Sequence, residues 1–465
     1  MTIKFTTTPI KKILESDRFE PRYHILFNRL DEYKKDSSYE IVKLGDKQLL
    51  KKITDGEHAG QVFVEKGAKF VKNSAVRDFS INLLDGFYIS LEKQKLLQRS
   101  ALKPLDILFT TVGHLGSTAI VPEDFGEANI NQNVVKMEIF GDFLDPYYLA
   151  AYLNSNATKR QIAALFTGNI HGILTYPKVK NIRIAVPDKK FQDMIRSLYR
   201  KSIDLEKEAF ALIEQAKNYF YEKIGIDFKK IEKEVIFSTK LSDFQKADLW
   251  TPSYSYPLYN NTIKALKKQW ETYPLGEIST AKKGDEVGSE NYNKYLEKGV
   301  HDVPFIRTSD IVNYDIDQYP DFYIPGEIYH ELQQDIKSGD ILFTNDGKIG
   351  LVAMLTSQDK AIIQSHIKRI RLKKEYIDKL NLSQEYLFLV LLIKEITLYQ
   401  AQKYTVIQST IPTISNHLAA FEVPILDKKS IDHITQLVKK AFVLKDERKK
   451  LIKEIREKIE NKVEV

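Results

Sequence analysis

The residues of this sequence whose types could do chemistry lie in glycine-punctuated loops, and what they offer is hydrogen bonding rather than bond breaking. In the first half the loops are Lys51-Lys52-Ile53-Thr54-Asp55-Gly56, Lys72-Asn73-Ser74, Thr110-Thr111-Val112-Gly113-His114, Asn129-Ile130-Asn131-Gln132-Asn133 and Thr167-Gly168-Asn169-Ile170-His171. In the second half they are Lys282-Lys283-Gly284-Asp285, Arg307-Thr308-Ser309, Thr344-Asn345-Asp346-Gly347-Lys348, Gln364-Ser365-His366 and Gln408-Ser409-Thr410. Amides, hydroxyls and cations of this kind bond singly or in bidentate fashion to base edges and phosphates. The candidate contact residues are therefore Lys52, Thr54, Lys72, Asn73, Ser74, Thr111, His114, Asn131, Gln132, Asn169 and His171 in the first half. In the second they are Lys282, Lys283, Arg307, Thr308, Ser309, Asn345, Lys348, Gln364, His366, Gln408 and Ser409. A single polar turn says little; the recurrence carries the signal.

Catalytic constellations are missing. Gly347-Lys348 is followed by Ile349-Gly350, so the hydroxyl that would hold magnesium in a phosphate-binding loop is absent. No Gly-x-Gly-x-x-Gly, Gly-x-Ser-x-Gly or His-Glu-x-x-His string occurs. Asp145-Pro146-Tyr147-Tyr148 lacks the second proline of the Asn/Asp-Pro-Pro-Tyr/Phe tetrapeptide that holds a flipped adenine in methyltransferases. His58, His114 and His171 have no second ligand at helix spacing, and the acid pairs Asp55/Glu57 and Asp285/Glu286 sit in turns without a strand-borne lysine. With no cysteine in the chain, disulfides, thiolate zinc sites, iron–sulfur clusters and cysteine nucleophiles are excluded together. The expectation is a chain that is not an enzyme, with no metal and no cofactor of its own.

At 465 residues the chain exceeds one ordinary core, and roughly two to four domains are expected. Hydrophobic residues at 43% and charged residues at 29% describe an ordinary globular composition. The formal charge of +7 suits a polyanionic partner without requiring one. Met1-Thr2-Ile3-Lys4-Phe5 shows no basic region followed by an apolar run, and the apolar window Tyr386 to Ile393 is too short to span a bilayer. A cytoplasmic protein with no membrane partner is the expectation.

The elements that must position the loops are duplicated. Gly67-Ala68-Lys69-Phe70-Val71-Lys72-Asn73-Ser74-Ala75-Val76 returns as Val303-Pro304-Phe305-Ile306-Arg307-Thr308-Ser309-Asp310-Ile311. Asp106-Ile107-Leu108-Phe109-Thr110 returns as Asp340-Ile341-Leu342-Phe343-Thr344, with Gly113 and Gly116 matched by Gly347 and Gly350. The two matches keep almost one register, so the chain is read as a tandem duplication. Each half runs through strands and turns, a short apolar helix (Tyr147 to Leu153; Tyr386 to Ile396), and a last strand ending in Val186-Pro187 or Val423-Pro424.

A long charged helix follows each Val-Pro. Phe191, Ile195, Leu198, Ser202, Leu205, Ala209, Leu212, Ala216 and Tyr219 alternate in steps of four and three, a coiled-coil seam. Asp188 is the expected N-cap and Gly225 the terminator. Ile431, Ile434, Val438, Ala441, Lys445, Arg448, Ile452, Ile455 and Ile459 repeat the pattern, with Lys445 and Arg448 interrupting it and Leu444 and Leu451 suggesting a phase shift. The fold class expected is α+β: two similar domains of mixed strands and short helices, separated by two long helices paired as an antiparallel coiled coil. The boundaries read as residues 1–187, 188–226, 227–425 and 426–465, with a linker over 227–260.

These features, with Ile53-Thr54-Asp55-Gly56-Glu57-His58 near the start, resemble the specificity subunit of type I restriction–modification systems, from about Tyr39 to Lys458. The resemblance implies that each domain is a target recognition domain reading one half of a split site in double-stranded DNA. The paired helices would set the half-site spacing and dock two adenine-N6 methyltransferase subunits, and a restriction/translocase subunit would join through the complex. It places S-adenosylmethionine, ATP and magnesium on those partners. The helix openings Asp188-Lys189-Lys190-Phe191-Gln192 and Leu426-Asp427-Lys428-Lys429-Ser430 depart from the Pro/Leu-rich segment and Glu-Gln pair common in that family. By the residues alone two rivals stay open: a metal-dependent nuclease with an unrecognised site, and a coiled-coil scaffold carrying two protein-binding modules.

Overall fold

A computed structural model describes residue 10 and residues 39–463 apart from 59, 166–172, 232, 235, 246, 288–302 and 409. The chain divides into two compact units, Met1–Asp204 with Lys450–Val465, and Leu205–Lys449. The division falls inside both long helices.

In the first unit a four-stranded antiparallel sheet is built from β1 (Leu50–Asp55), β2 (Ile107–Thr110), β3 (Thr118–Ile120) and β4 (Val134–Ile139), in the order β1-β4-β2-β3. Every residue of β2 is buried, because its continuous apolar run has both sheet faces covered. The helix Pro146–Leu153 packs on β3, and the Asn154 side chain brackets Thr118, accepting from its N–H at 3.1 Å and donating to its carbonyl at 2.8 Å. A smaller sheet sets Ala68–Val71 between antiparallel Tyr88–Ile89 and parallel Ala128–Ile130.

The second unit repeats this order. Its sheet is β5 (Ser279–Lys283), β6 (Ile341–Thr344), β7 (Val352–Met354) and β8 (Ile367–Leu372), ordered β5-β8-β6-β7. Val303–Ile306 lies between antiparallel Tyr323–Ile324 and parallel Ile362–Ile363. The duplication read from two short strings thus extends to the hydrogen-bond topology.

The repeated Asp-Ile-Leu-Phe-Thr string is explained by its ends. Asp106 accepts the Lys103 N–H at 2.8 Å, and Asp340 accepts the Lys337 N–H at 2.8 Å, so each aspartate closes the turn entering the strand. Each also holds a cation of the neighbouring strand. Lys136 Nζ meets Asp106 Oδ2 at 3.1 Å with both side chains 2% exposed, and Arg371 bonds both oxygens of Asp340 at 2.6 and 2.7 Å. At the other end the Thr110 hydroxyl donates to the His114 carbonyl and accepts from the Ser117 N–H at 3.0 Å. Thr344 does the same with Lys348 (2.6 Å) and Leu351 (2.8 Å). The glycine loops between these contacts turn through positive φ, 79° and 75° at Gly113 and Gly116 and 73° and 90° at Gly347 and Gly350, where a side chain would be strained.

One expected helix is two. The run from Tyr386 forms Gln384–Leu392 and Lys394–Tyr404, with the buried Ile393 extended between them. A β-branched side chain gains little in a helix, and the break turns Lys394 out of the core.

The long helices are α1 (Lys189–Ile224) and α2 (Lys428–Val463). Asp188 caps α1, accepting the Phe191 N–H at 2.9 Å, and Asp427 accepts the Ser430 N–H at 3.0 Å. They run antiparallel: in the first unit Asp188 pairs with Lys462 at 3.7 Å, and in the second Glu206 pairs with Arg448, Glu208 with Lys440 at 3.6 Å, and Tyr219 stacks near His433 at 4.4 Å. The buried stripe of α1 is wider than the seam. Ile195, Ser202, Leu205, Ala209 and Ala216 are buried as expected, but Gln192, Tyr199, Ile213 and Phe220 are buried beside half-buried Phe191, Leu198, Leu212 and Tyr219. The cause is a second covered face: Tyr199 packs on Phe79 and Tyr147 of its own module, at 5.5 and 5.7 Å.

In the second unit the hairpin Ile311–Val312/Asp315–Ile316 turns at Asn313 and Tyr314, whose φ values of 52° and 63° are those of a type I′ turn. Tyr314 bears that strain because it packs on Phe210 at 5.5 Å, while Asn313 donates to Glu206 at 3.1 Å. Beside it the polar break in α2 is buried. Lys445 donates to the Asn313 carbonyl at 2.9 Å, and Lys449, with its side chain 3% exposed, meets Asp315 at 2.6 Å and Asp359 at 2.7 Å. Burial pushes Asp359 upward, against the pull of the Lys449 charge.

Removing Lys449 would leave two buried carboxylates without their cation. Lys449→Ala is expected to cost about 3–5 kcal/mol, and Lys449→Met combined with Asp315→Asn and Asp359→Asn to recover most of that loss. Denaturant unfolding of the full chain measures both; an unchanged midpoint for Lys449→Ala would show that the cluster does not hold α2 to its module.

Candidate nucleic-acid interface

In the first unit three of the candidate loops meet. The Asn131 amide donates to Asn73 Oδ1 at 3.2 Å, and the Asn73 amide donates to the Val112 carbonyl at 3.2 Å. Thr111 joins from below, its N–H and hydroxyl both bonded to the Asn133 carbonyl at 3.0 and 3.1 Å. Gln132 is tied through its N–H to the Glu57 carbonyl at 2.9 Å. Gly56 allows this approach: a Cβ there would lie 1.9 Å from the Ile130 carbonyl oxygen, and at Gly284 of the second unit 2.2 Å from that of Ile363. Arg99 fixes the same loop by bonding Asp55 at 2.7 Å.

Lys72 and Arg307 occupy equivalent places and are held alike. Lys72 Nζ sits 3.2 Å from the centroid of Phe87 and 4.6 Å from that of Phe63, and the Arg307 guanidinium lies 3.9 Å over Phe322 while pairing with Asp310 and Asp321. Such cation–π contacts fix where each cation points, and at Arg307 the two carboxylates also balance its charge.

The remaining candidates fall into three groups. Thr54, Thr111, Asn345 and Gln364 are buried and serve the loop frame. Lys52, Ser74, Lys282, Lys283, Ser309 and Lys348 are exposed; Lys52 stands opposite Glu138, and Lys282 and Lys283 lie on the edge strand β5 opposite Arg369 and Lys368. His114 and Thr308 are half-buried. Asn169, His171 and Ser409 lie outside the described residues, and Gln408 lies in the strand Val406–Gln408.

The second unit contains an anchor that the residue types did not reveal. Asp346 accepts from the Thr413 hydroxyl at 2.5 Å, from His366 Nδ1 at 2.9 Å and from the Asn345 amide at 2.8 Å. The Asn345 N–H donates to the His366 carbonyl at 2.8 Å, the same bond that Thr111 makes to Asn133. The Gly347 N–H donates to the Pro412 carbonyl at 2.8 Å, and Lys368 donates to the Ser415 carbonyl at 2.6 Å. Together these bonds fasten the hairpin Val406–Gln408/Ile411–Thr413 to the glycine loop. Burial alone would raise the Asp346 carboxyl, but the bonds from Thr413, His366 and Asn345 outweigh it and hold the carboxyl below its ordinary value. In the sequence this hairpin has an ordinary Ser-Thr turn instead of Asn-Gly, so only its alternating residues mark it.

Among the described residues no group of three or more His, Asp or Glu could hold a metal ion, and no helix is long and apolar enough to cross a membrane.

The fold is thus built twice, each repeat carrying amide-rich loops at its strand ends and followed by a long helix. Residues 267–461 match the family model of the type I restriction modification DNA specificity domain. It is similar to the type I restriction–modification S subunit from M. genitalium, at 14% identity over 92% of this chain and 96% of that one, with a TM-score of 0.33. It is also similar to the HsdS subunit from Thermoanaerobacter tengcongensis, at 14% identity over 92% and 97% of the two chains, with a TM-score of 0.30. No curated protein sequence matches it.

The Asp346 anchor has a sign in pH. A depressed carboxyl contributes stability above its unfolded value and loses it as pH falls through the folded one. The amides of Val406, Ile407, Gln408, Ile411 and Thr413 are therefore expected to show a high hydrogen-exchange protection factor, measured against the unfolded chain at the same pH, that falls as pH drops below about 4. Asp346→Ala should give the low protection factor at all pH values, a local loss of about 1–3 kcal/mol; equal protection in variant and parent would refute the anchor.

Proposed function

We propose that this chain is the address-reading subunit of its system, each module reading one half of a split site in double-stranded DNA. The observation that carries the reading is a repeated frame with divergent tips. The turn-closing aspartate and loop-closing threonine are the same in both modules, whereas Thr111 is replaced by Asn345, Asn131 by Gln364, and Asn133 by His366. Two readers of different base sequences need the same scaffold and different donors and acceptors. The exposed lysines Lys52, Lys282, Lys283 and Lys348 would meet phosphates, and binding would then weaken steeply with salt.

The chain takes no catalytic part in this reading. Methyltransferase subunits dock on the complex formed with α1 and α2 and supply S-adenosylmethionine and the adenine-N6 transfer, while a restriction/translocase subunit supplies ATP- and magnesium-dependent work, all in the cytoplasm. The antiparallel helices act as the spacer between half-sites. A heptad added to each would lengthen them by about 10 Å, the rise of about three base pairs.

Methylation mapping in a host carrying this gene with its methyltransferase gene tests the reading. A split N6-methyladenine motif is expected. Asn73→Ala with Asn131→Ala should relax one half only, at about 1–3 kcal/mol for each lost base contact, and the heptad insertion should lengthen the unspecified spacer with both halves kept. A methylome without a split motif, or one that changes in both halves together, would overturn it.

A further inference from the structure

The hairpin of the second module is apolar where a surface ribbon has no structural reason to be. Ile407 is 75% exposed and Ile411 45% exposed. In the register of the two strands Ile407 pairs with Pro412, the residue next to Ile411. Cross-strand partners share a face and successive residues alternate, so the two isoleucines project from opposite faces of one narrow ribbon. A lone exposed isoleucine is ordinary. A pair on both faces of a short ribbon, fastened at its base by the bonds of Asp346 and Gly347, is suited to insertion between two walls.

The surroundings identify the walls by charge. Exposed Lys348 follows Gly347, whose N–H holds the Pro412 carbonyl. Exposed Lys283 is the cross-strand partner of Lys368, and Lys368 holds the Ser415 carbonyl just past the hairpin. Two apolar strand residues flanked by cations match a groove with anionic rims. The major groove of B-form DNA admits a two-stranded ribbon, and its apolar feature is the C5-methyl group of thymine.

We propose that the hairpin Val406–Thr413 enters the major groove of the half-site read by this module, with Ile407 and Ile411 covering thymine methyl groups, so that this half-site contains A·T pairs that the hairpin specifies. The inference rests on the DNA-reading function proposed above and names the element and the base chemistry. The arrangement is a shape-and-methyl reader: the polar loops fix register, and the isoleucines reject cytosine, which lacks the methyl group.

The test uses the complex assembled with its methyltransferase subunits and duplexes carrying the mapped site, at one salt concentration. Each thymine of the second-module half is replaced in turn by uracil, which removes only the methyl group. For the parent complex, uracil at one or two positions should weaken binding about fourfold for each methyl uncovered. Ile407→Ala with Ile411→Ala, at exposed positions that leave the melting temperature unchanged, should weaken binding about tenfold and abolish the response to uracil. A parent complex that discriminates sequence yet ignores uracil at every thymine of that half would overturn the hairpin proposal alone. So would a double variant that binds as tightly as the parent, or one that loses methyltransferase assembly in the absence of DNA. A parent complex that binds all duplexes alike would overturn both this proposal and the function on which it rests.

Discussion

Everything that positions a loop in this protein depends on one short buried strand in each module being tied at both ends. The aspartate before the strand closes its entry turn and neutralises a cation on the adjacent strand; the threonine at its end closes the glycine loop. An asparagine would leave Lys136 with Glu138 alone and Arg371 with Asp335 alone as counter-charges, and a valine in place of the threonine would remove two of the bonds that close the glycine loop. The loops beyond are free to vary because the strand ends are not. This division of labour accounts for the identity of five consecutive residues across halves whose neighbouring loops have diverged.

The second constraint is how the long helices are fastened in each unit. In the second unit the seam of α2 carries buried Lys445 and nearby Lys449, which a coiled coil built for stability alone would replace with leucine or isoleucine. Their partners are not on the other helix alone. Lys449 reaches Asp315 and Asp359 of the module, and Lys445 reaches the Asn313 carbonyl at the strained turn. A buried charge is satisfied by few geometries, so such a cluster adds little stability and much definition. The hairpin tip, the helix and the loop at Asp359 are held in one arrangement.

The sequence showed the parts of the fold that depend on period and repetition. The duplicated strings, the alternating seams, the Asp188 cap and the end of the last strand at Val-Pro are all visible because each is a local pattern with a local cause. What stayed hidden depends on contacts distant in the chain. Lys449 lies off the seam, and nothing near it announces carboxylates 134 and 90 residues away. Asp346 reads as a turn residue until Thr413 comes back to it, 67 residues later. Residue type marks the polar loops but does not distinguish an amide that faces solvent from a threonine such as Thr111 turned inward to shape the loop.

The two modules solve one local problem, how to hold the loop tips, with different chemistry. In the first, the tips of three loops are joined by a relay of neutral amides from Asn131 to Asn73 to the Val112 carbonyl. In the second, the equivalent loop is tied to a hairpin through the carboxylate of Asp346. A neutral relay costs little to break and re-form, so its side chains can exchange one neutral partner for another. A buried carboxylate with three donors cannot do this without leaving a desolvated charge. The first set of loops is therefore held by bonds that can exchange partners, and the second by a charge that cannot leave its donors.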